Sequence, residues 1–376
     1  MKKVQNLGII MSVFVTLCSS CAVANSDSIS EIPLCIYEKI KPMSNLTTPS
    51  LFVQLKDCGS SSVIADVDRI ICWEDYVYIF DDGNDVITSY DMEGRMKMST
   101  QKYKGHGRNE YIHLSDMAFD ETNGLIYALC DTPSEIIIFD KNLEIRSIHP
   151  IDFMPIEMCV DSTHIVFLRS NYNKNCYEIL TLEKGHLNEP PIVILNSEIA
   201  VKRIMGMGRS LTCTNGECWV SLPFDNCIYN IFKGKVRKKY CINFQEMWYK
   251  NDNYKAQQFL KKNSDKVWSI QNVQKCNQYL WFNTNTEGLY CIDTEKEQCL
   301  CYDLIVHDSI PYASQLIVPQ QGLLNKVSFS IMPSFIYSYI RNFEKDCTQK
   351  TENRVYELAK NNIKEKNALV MFWEMK

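Results

Sequence analysis

Short apolar stretches rich in Tyr, Ile, Val and Trp recur along the chain: YVYIFDD from Tyr76, LIYALCD from Leu125, HIVFLRS from His164, ECWVSLP from Glu217 and YLWFNTN from Tyr279. Each follows a polar turn, and their length and residue types read as β-strands. After the first two, DVITSYDMEGRM (85–96) and SEIIIFDKNLEI (134–145) repeat one order of parts, namely an edge strand, an Asp, a turn and another strand. Strand, turn, strand, Asp-turn, strand predicts a four-stranded blade, and run centres about 50 residues apart suit such blades with variable outer loops. Five blades are visible in this way. A sixth is expected from PLCIYEKI (33–40) and FVQLKDC (52–58) at the front and GLLNKVSFSIM (322–332) at the back. Joining strands from both ends of the chain would close a ring and remove the open sheet edges that invite aggregation. A pair of β-sandwiches would not need the same blade order repeated. One stretch departs from the β pattern: NYKAQQFLKKNSDKVW (253–268) is rich in helix formers, without Pro or Gly, and predicts a small helical insert. The expected fold is all-β, a ring of six four-stranded antiparallel blades with that insert.

The N-terminus reads differently. Met1-Lys2-Lys3 precedes an apolar core from Leu7 to Leu17 and the small residues Ser19 and Ser20. That order is a secretory signal whose core is too short to span a bilayer. Two small residues directly before Cys21 resemble a bacterial lipobox, although Cys18 holds the place where Leu or Val is usual. Cys21 is therefore the expected lipid-attachment residue, against an ordinary signal peptide cut near Ala24. The expected divisions are a signal over 1–20, a tether over 21–32 and the ring over 33–376. Residues 22–27, AVANSD, carry no acidic cluster, which favours the periplasmic side over the cell surface.

Charge and candidate chemistry narrow the picture further. With a net charge of −5 and no long basic run, the composition points to neither nucleic acid nor an anionic membrane surface, so the lipid is the expected membrane contact. Six histidines (106, 113, 149, 164, 186 and 307) lack zinc-ligand spacing; His106 alone stands out, between two glycines. DDGND (81–85) offers carboxylates that could hold calcium, but it lacks EF-hand spacing and serves equally as a turn. No nucleophile elbow, P-loop or dinucleotide fingerprint occurs, and GMGRS (206–210) is followed by no helical pattern, so no cofactor or metal is expected. Of the seventeen cysteines, Cys72, Cys130, Cys159 and Cys291 sit in apolar runs as small hydrophobes. Cys299 and Cys301 should share one strand face. CTNGEC (213–218) centres on Asn215-Gly216, the strongest short signal for a two-residue hairpin. That register sets Cys213 opposite Cys218, either bridged or packed as two free thiols.

The segment DRIICWEDYVYIFDDGNDVITSYDMEGRM, with YKGHGRNEYIHLSDMAFDETNGLIYALCD after it, resembles the six-bladed β-propeller lipoproteins of Bacteroidetes, whose blades are similar to NHL repeats. Gly105, Gly107, Glu110 and Tyr111 match that family's Gly-x-Gly-Pro-Gly-Glu-Tyr loop, with Arg108 and Asn109 where Pro and Gly are usual. The C-terminal KNALVMFWEMK (366–376) resembles its closing strand, with Ala368 in place of Pro. The resemblance implies fold more firmly than function. It favours a cell-envelope binding or scaffold module for an envelope protein, peptide or glycan over an enzyme. A propeller enzyme of the lyase or lactonase kind would draw on His106, Arg108, Arg169 and Arg209 at the mouth of the ring. A purely structural module, its centre plugged by side chains, is the third reading.

Overall fold

The computed structural model describes residues 29–42, 47–56, 64–171, 173–174, 176–197, 208–249, 265–286, 288–306, 321–323, 326–331 and 368–375. Blade 1 is β3 (Arg69–Trp73), β4 (Tyr76–Asp81), β5 (Val86–Asp91) and β6 (Met96–Ser99). Blade 2 is β7 (His113–Asp120), β8 (Leu125–Thr132), β9 (Ser134–Phe139) and β10 (Ile145–Pro150). Blade 3 is β11 (Glu157–Val160), β12 (His164–Asn171), β13 (Cys176–Glu183) and β14 (Ile192–Asn196). Blade 4 comprises β15 (Leu211–Thr214), β16 (Glu217–Ser221), β17 (Cys227–Phe232) and β18 (Lys235–Asn243). Blade 5 comprises β19 (Ile270–Cys276), β20 (Tyr279–Thr284), β21 (Leu289–Asp293) and β22 (Gln298–Val306). Blade 6 combines β23 (Gln321–Leu323), β24 (Lys326–Ile331) and β25 (Leu369–Met375) with β2 (Thr47–Gln54) from the front of the chain, in the order β2-β25-β24-β23. This is the closure by both ends that the sequence predicts.

The Asp-turn between third and fourth strands has a local cause. Asp91 accepts backbone N–H bonds from Glu93 and Arg95, Asp140 from Asn142 and Glu144, and Asp293 from Glu295 and Lys296. One carboxylate thus satisfies two turn donors that no strand partner can reach. In DDGND, Asp81 does the same for Ala65, Asp66 and Asn84, so this stretch is a turn. Packing between blades supplies the core. Ile71, Tyr78 and Phe80 of blade 1 meet Leu114, Met117 and Ile126 of blade 2, and the arrangement repeats between blades 2 and 3, 3 and 4, 4 and 5, and 6 and 1. Cys299 and Cys301 do share one face, in the cluster between blades 4 and 5.

Two expectations are corrected. PLCIYEKI does not enter the closing blade. It lies in β1 (Ile29–Pro42), which runs parallel to β18 from Ile29↔Lys239 to Pro33↔Asn243 and then parallel to β22 from Leu34↔Cys299 to Pro42↔Val306. The closing blade already has four strands, whereas the outer edges of blades 4 and 5 would otherwise present unpaired N–H and C=O groups. β1 covers both and fuses the two blades into a nine-stranded sheet. The helical insert lacks support: 250–264 lie outside the described residues, and at its end Val267 forms an isolated parallel bridge with Trp248. The signal segment and Cys21 also lie outside the described residues.

Candidate functional site

The inner strands β3, β7, β11, β15, β19 and β23 neighbour one another around the centre. Charged residues stand at or near the start of several of them, all at one face of the ring. Arg69, 2% exposed, donates from Nε and Nη2 to the two carboxylate oxygens of Asp116 at 3.0 and 3.1 Å, and Nη2 also donates to the Met158 carbonyl at 3.1 Å. Arg209, just before β15, donates to Asp68 at 3.0 Å and to Asp116 at 2.5 Å. Blade 4 is thereby tied across the centre to blades 1 and 2. Asp116 accepts two further bonds, from the Met117 and Met158 N–H groups. Glu157 accepts from the Ser210 and Leu211 N–H groups, joining blades 3 and 4. Gln271 and Asn272 accept from Gly208 N–H and Arg209 N–H, which carries the chain of contacts to blade 5.

Burial controls the electrostatics of this brace. Desolvation pushes the Asp116 carboxyl up to about 7, with the neighbouring Arg69 guanidinium pulling down and Asp68 pushing up. Desolvation, reinforced by the charge of Asp116, pushes Glu157 up to about 8, against the two backbone N–H groups that stabilise its charged form. At the exposed edge of the same face an acidic rim gathers on blades 1 and 2. Asp82 is raised by burial and then by Asp68, Asp85 and Asp66, while His113 lowers it. His113 in turn sits 2.7 Å from Asp131 and 3.2 Å from Asp85. Carboxylates held this close repel, and a cationic or hydrogen-donating partner would relieve the repulsion.

Of the four residues considered for catalysis, Arg209 alone belongs to this brace. Arg169 is engaged by Glu178, which also takes bonds from Asn171 and Lys174 and so closes the second hairpin of blade 3. His106 and Arg108 are exposed in the loop between β6 and β7. In that loop the family motif has a structural explanation. Glu110 accepts from the Gly107 N–H at 2.6 Å, and a Cβ on Gly105 would lie 2.1 Å from the same carboxylate oxygen. Tyr111 is fully buried, with its hydroxyl against Thr100 Oγ1 at 2.6 Å. The two glycines make room for the carboxylate that ties the loop, and the tyrosine pins it to blade 1.

The hairpin of CTNGEC has the expected register, Thr214↔Glu217 and Cys213↔Cys218, with positive φ at Asn215 and Gly216. Both cysteines carry free thiols; Cys213 donates to the Val160 carbonyl, and burial pushes the Cys218 thiol up beside Cys159. The disulfide among the described residues is instead Cys227–Cys241, joining β17 to β18. Sequence reading passed over Arg69, Asp116 and Glu157. Their signal was a charge interrupting or opening the apolar inner strand in blades 1, 2 and 3, in DRIICW, SDMAF and EMCV. Among the described residues, no group of three or more His, Cys, Asp or Glu is placed to hold a metal, and no helix is long and apolar enough to cross a membrane.

The model of a family described as 6-bladed beta-propeller matches residues 43–311. Among solved structures, a "Putative exported protein" from Bacteroides fragilis superposes with a TM-score of 0.67 at 13% identity, over 93% of this chain and 100% of its own. BamB from Moraxella catarrhalis superposes with a TM-score of 0.41 at 11% identity, over 67% of this chain and 66% of that one. Comparison with curated proteins finds no match.

Proposed function

The chain belongs to the 6-bladed beta-propeller family, and from that premise we propose that it is an exported envelope lipoprotein that uses the mouth of the ring as a binding or scaffold surface. The single observation that carries this reading is the acidic rim of Asp66, Asp68, Asp82 and Asp85 beside His113, set on a centre made rigid by the Arg69–Asp116–Arg209–Asp68 brace. A rigid surface keeps the ordering cost of binding low. Carboxylates that raise one another favour a partner with amines or hydroxyl donors, a cationic peptide segment or a glycan at the envelope. The enzyme reading is weaker, because Arg209 and Arg169 are each spent on separate carboxylates. The structural reading draws on the same brace, which crosses the centre from blade 4 to blade 1.

Photo-crosslinkers at positions 82 and 131, compared with positions 56 and 141 elsewhere on the ring, test this in envelope preparations. Adducts from the mouth that disappear in Asp66→Asn/Asp85→Asn protein support binding there. Adducts equal at all four positions, or at none, leave the structural reading. The anchor is proposed at Cys21, on the periplasmic side, in keeping with the resemblance to Bacteroidetes lipoproteins. Cys21→Ala should move the protein from the membrane fraction to the soluble fraction, whereas Cys18→Ala should not.

A further inference from the structure

The hairpin of β17 and β18 carries Lys233, Lys235, Arg237, Lys238 and Lys239, five cations in the seven residues 233–239, a density that the net charge of −5 conceals. All but the half-buried Lys239 are exposed. Arg237 has one acidic partner, Glu217 at 3.5 Å, and among the described residues the four lysines have none. Three of the cations lie over aromatic rings of the same hairpin, Lys233 and Arg237 over Phe232 and Lys239 over Tyr229. Like charge already gathers here: burial lowers the pKa of the half-buried Lys275, and the charge of Lys238 adds to that lowering. The Cys227–Cys241 disulfide ties the hairpin at one end, and the Gly234 N–H bond to Asp161 holds its turn at the other. The patch is a fixed part of the fold.

A second observation places this patch relative to the N-terminus. Ile29, 63% exposed, begins β1 by pairing with Lys239. It stands eight positions after Cys21, a span of at most about 30 Å when fully extended. Strand alternation then orients the ring. β15 starts at the braced face, so the turn between β17 and β18 lies at the opposite face.

We propose that the β17–β18 hairpin is a membrane-docking surface that rests on the anionic lipid headgroups of the bilayer holding the N-terminal lipid, so that the acidic mouth faces away from the membrane. The proposal rests on lipidation of Cys21 for its location, but the surface itself is defined by the hairpin's own charges. It adds a second membrane contact to the lipid expected from the sequence. Headgroup phosphates match unpaired lysines held at a surface, and each basic residue near such a surface contributes about fivefold in partition.

The test uses the mature chain, residues 21–376, with Cys21→Ala, so that neither the signal segment nor a lipid contributes, and vesicles of phosphatidylcholine with or without phosphatidylglycerol. Sedimentation should show binding to the anionic vesicles alone, falling steeply as salt rises from 50 to 500 mM. Lys233→Gln/Lys235→Gln/Lys238→Gln should weaken that binding about 100-fold, whereas Lys104→Gln/Lys174→Gln/Lys266→Gln, at the braced face, should leave it unchanged. Equal binding to neutral vesicles, no binding to either, or equal loss in the two triple variants overturns the proposal. Because the assay contains no lipidated protein, its failure is separate from a failure of the Cys21 reading, which membrane fractionation reports.

Discussion

Replacing Arg69 by Met keeps most of the packed stem and removes the guanidinium. The side chain is 2% exposed and makes three hydrogen bonds, two of them to the fully buried Asp116. Breaking one side of a buried ion pair costs about 3–5 kcal/mol, because the other charge is left uncompensated. Asp116 keeps Arg209 and the Met117 and Met158 N–H groups, which places the expected loss near the lower end, about 3 kcal/mol at pH 8.5. The loss should depend on pH in a defined direction. Asp116 is already raised to about 7 by burial, with Arg69 as the largest lowering influence. Without Arg69 it rises further, so at pH 5.5 a proton replaces the missing cation. There the loss should shrink to about 1–2 kcal/mol, the worth of the bond to the Met158 carbonyl and imperfect packing. Urea unfolding at the two pH values measures both numbers, and an Arg69→Met/Asp116→Asn cycle isolates the pair. A loss below about 1 kcal/mol at pH 8.5, or one equal at both pH values, refutes the reasoning.

Further outcomes are expected elsewhere. Asp116 and Glu157 are raised to about 7 and about 8, so the folded state holds their protons more tightly than the unfolded chain. Their contribution is full below about pH 4 and is lost as pH rises through 7 and 8; the melting temperature should fall between pH 5.5 and 8.5, and less so in Glu157→Gln. Gly105→Ala should cost about 1–2 kcal/mol by displacing the Glu110 carboxylate from the Gly107 N–H, and should be nearly neutral in an Glu110→Ala background, as chemical denaturation of the four proteins would show. Cys227→Ser/Cys241→Ser opens a loop with a sequence separation of 14 and should lose about 3 kcal/mol. Peptide mapping without reductant should recover the Cys227–Cys241 bridge and find Cys213 and Cys218 alkylatable.

What the sequence determined by itself was local. Alternating apolar runs, the Asp that closes the third-to-fourth-strand turn in blades 1, 2 and 5 and the Asn215-Gly216 hairpin all act over fewer than about ten residues, where side-chain period and turn chemistry leave few alternatives. From these came the blade, its repetition, the closure of the ring with Phe52–Gln54 and the C-terminal strands, and the register that sets Cys213 opposite Cys218. Tertiary structure decided the rest. Nothing in PLCIYEKI distinguishes a closing-blade strand from one that covers the edges of blades 4 and 5, because the preference depends on which edges remain unpaired once the ring has closed. Arg209 and Asp68 stand 141 positions apart, and Ser30 and Glu297 stand 267 apart. Such pairs meet only when the curvature of six blades brings opposite sides of the ring, or the two ends of the chain, together. The braced face lies at the first of those meetings, so its charges read in sequence as scattered surface residues and in the fold as one braced mouth.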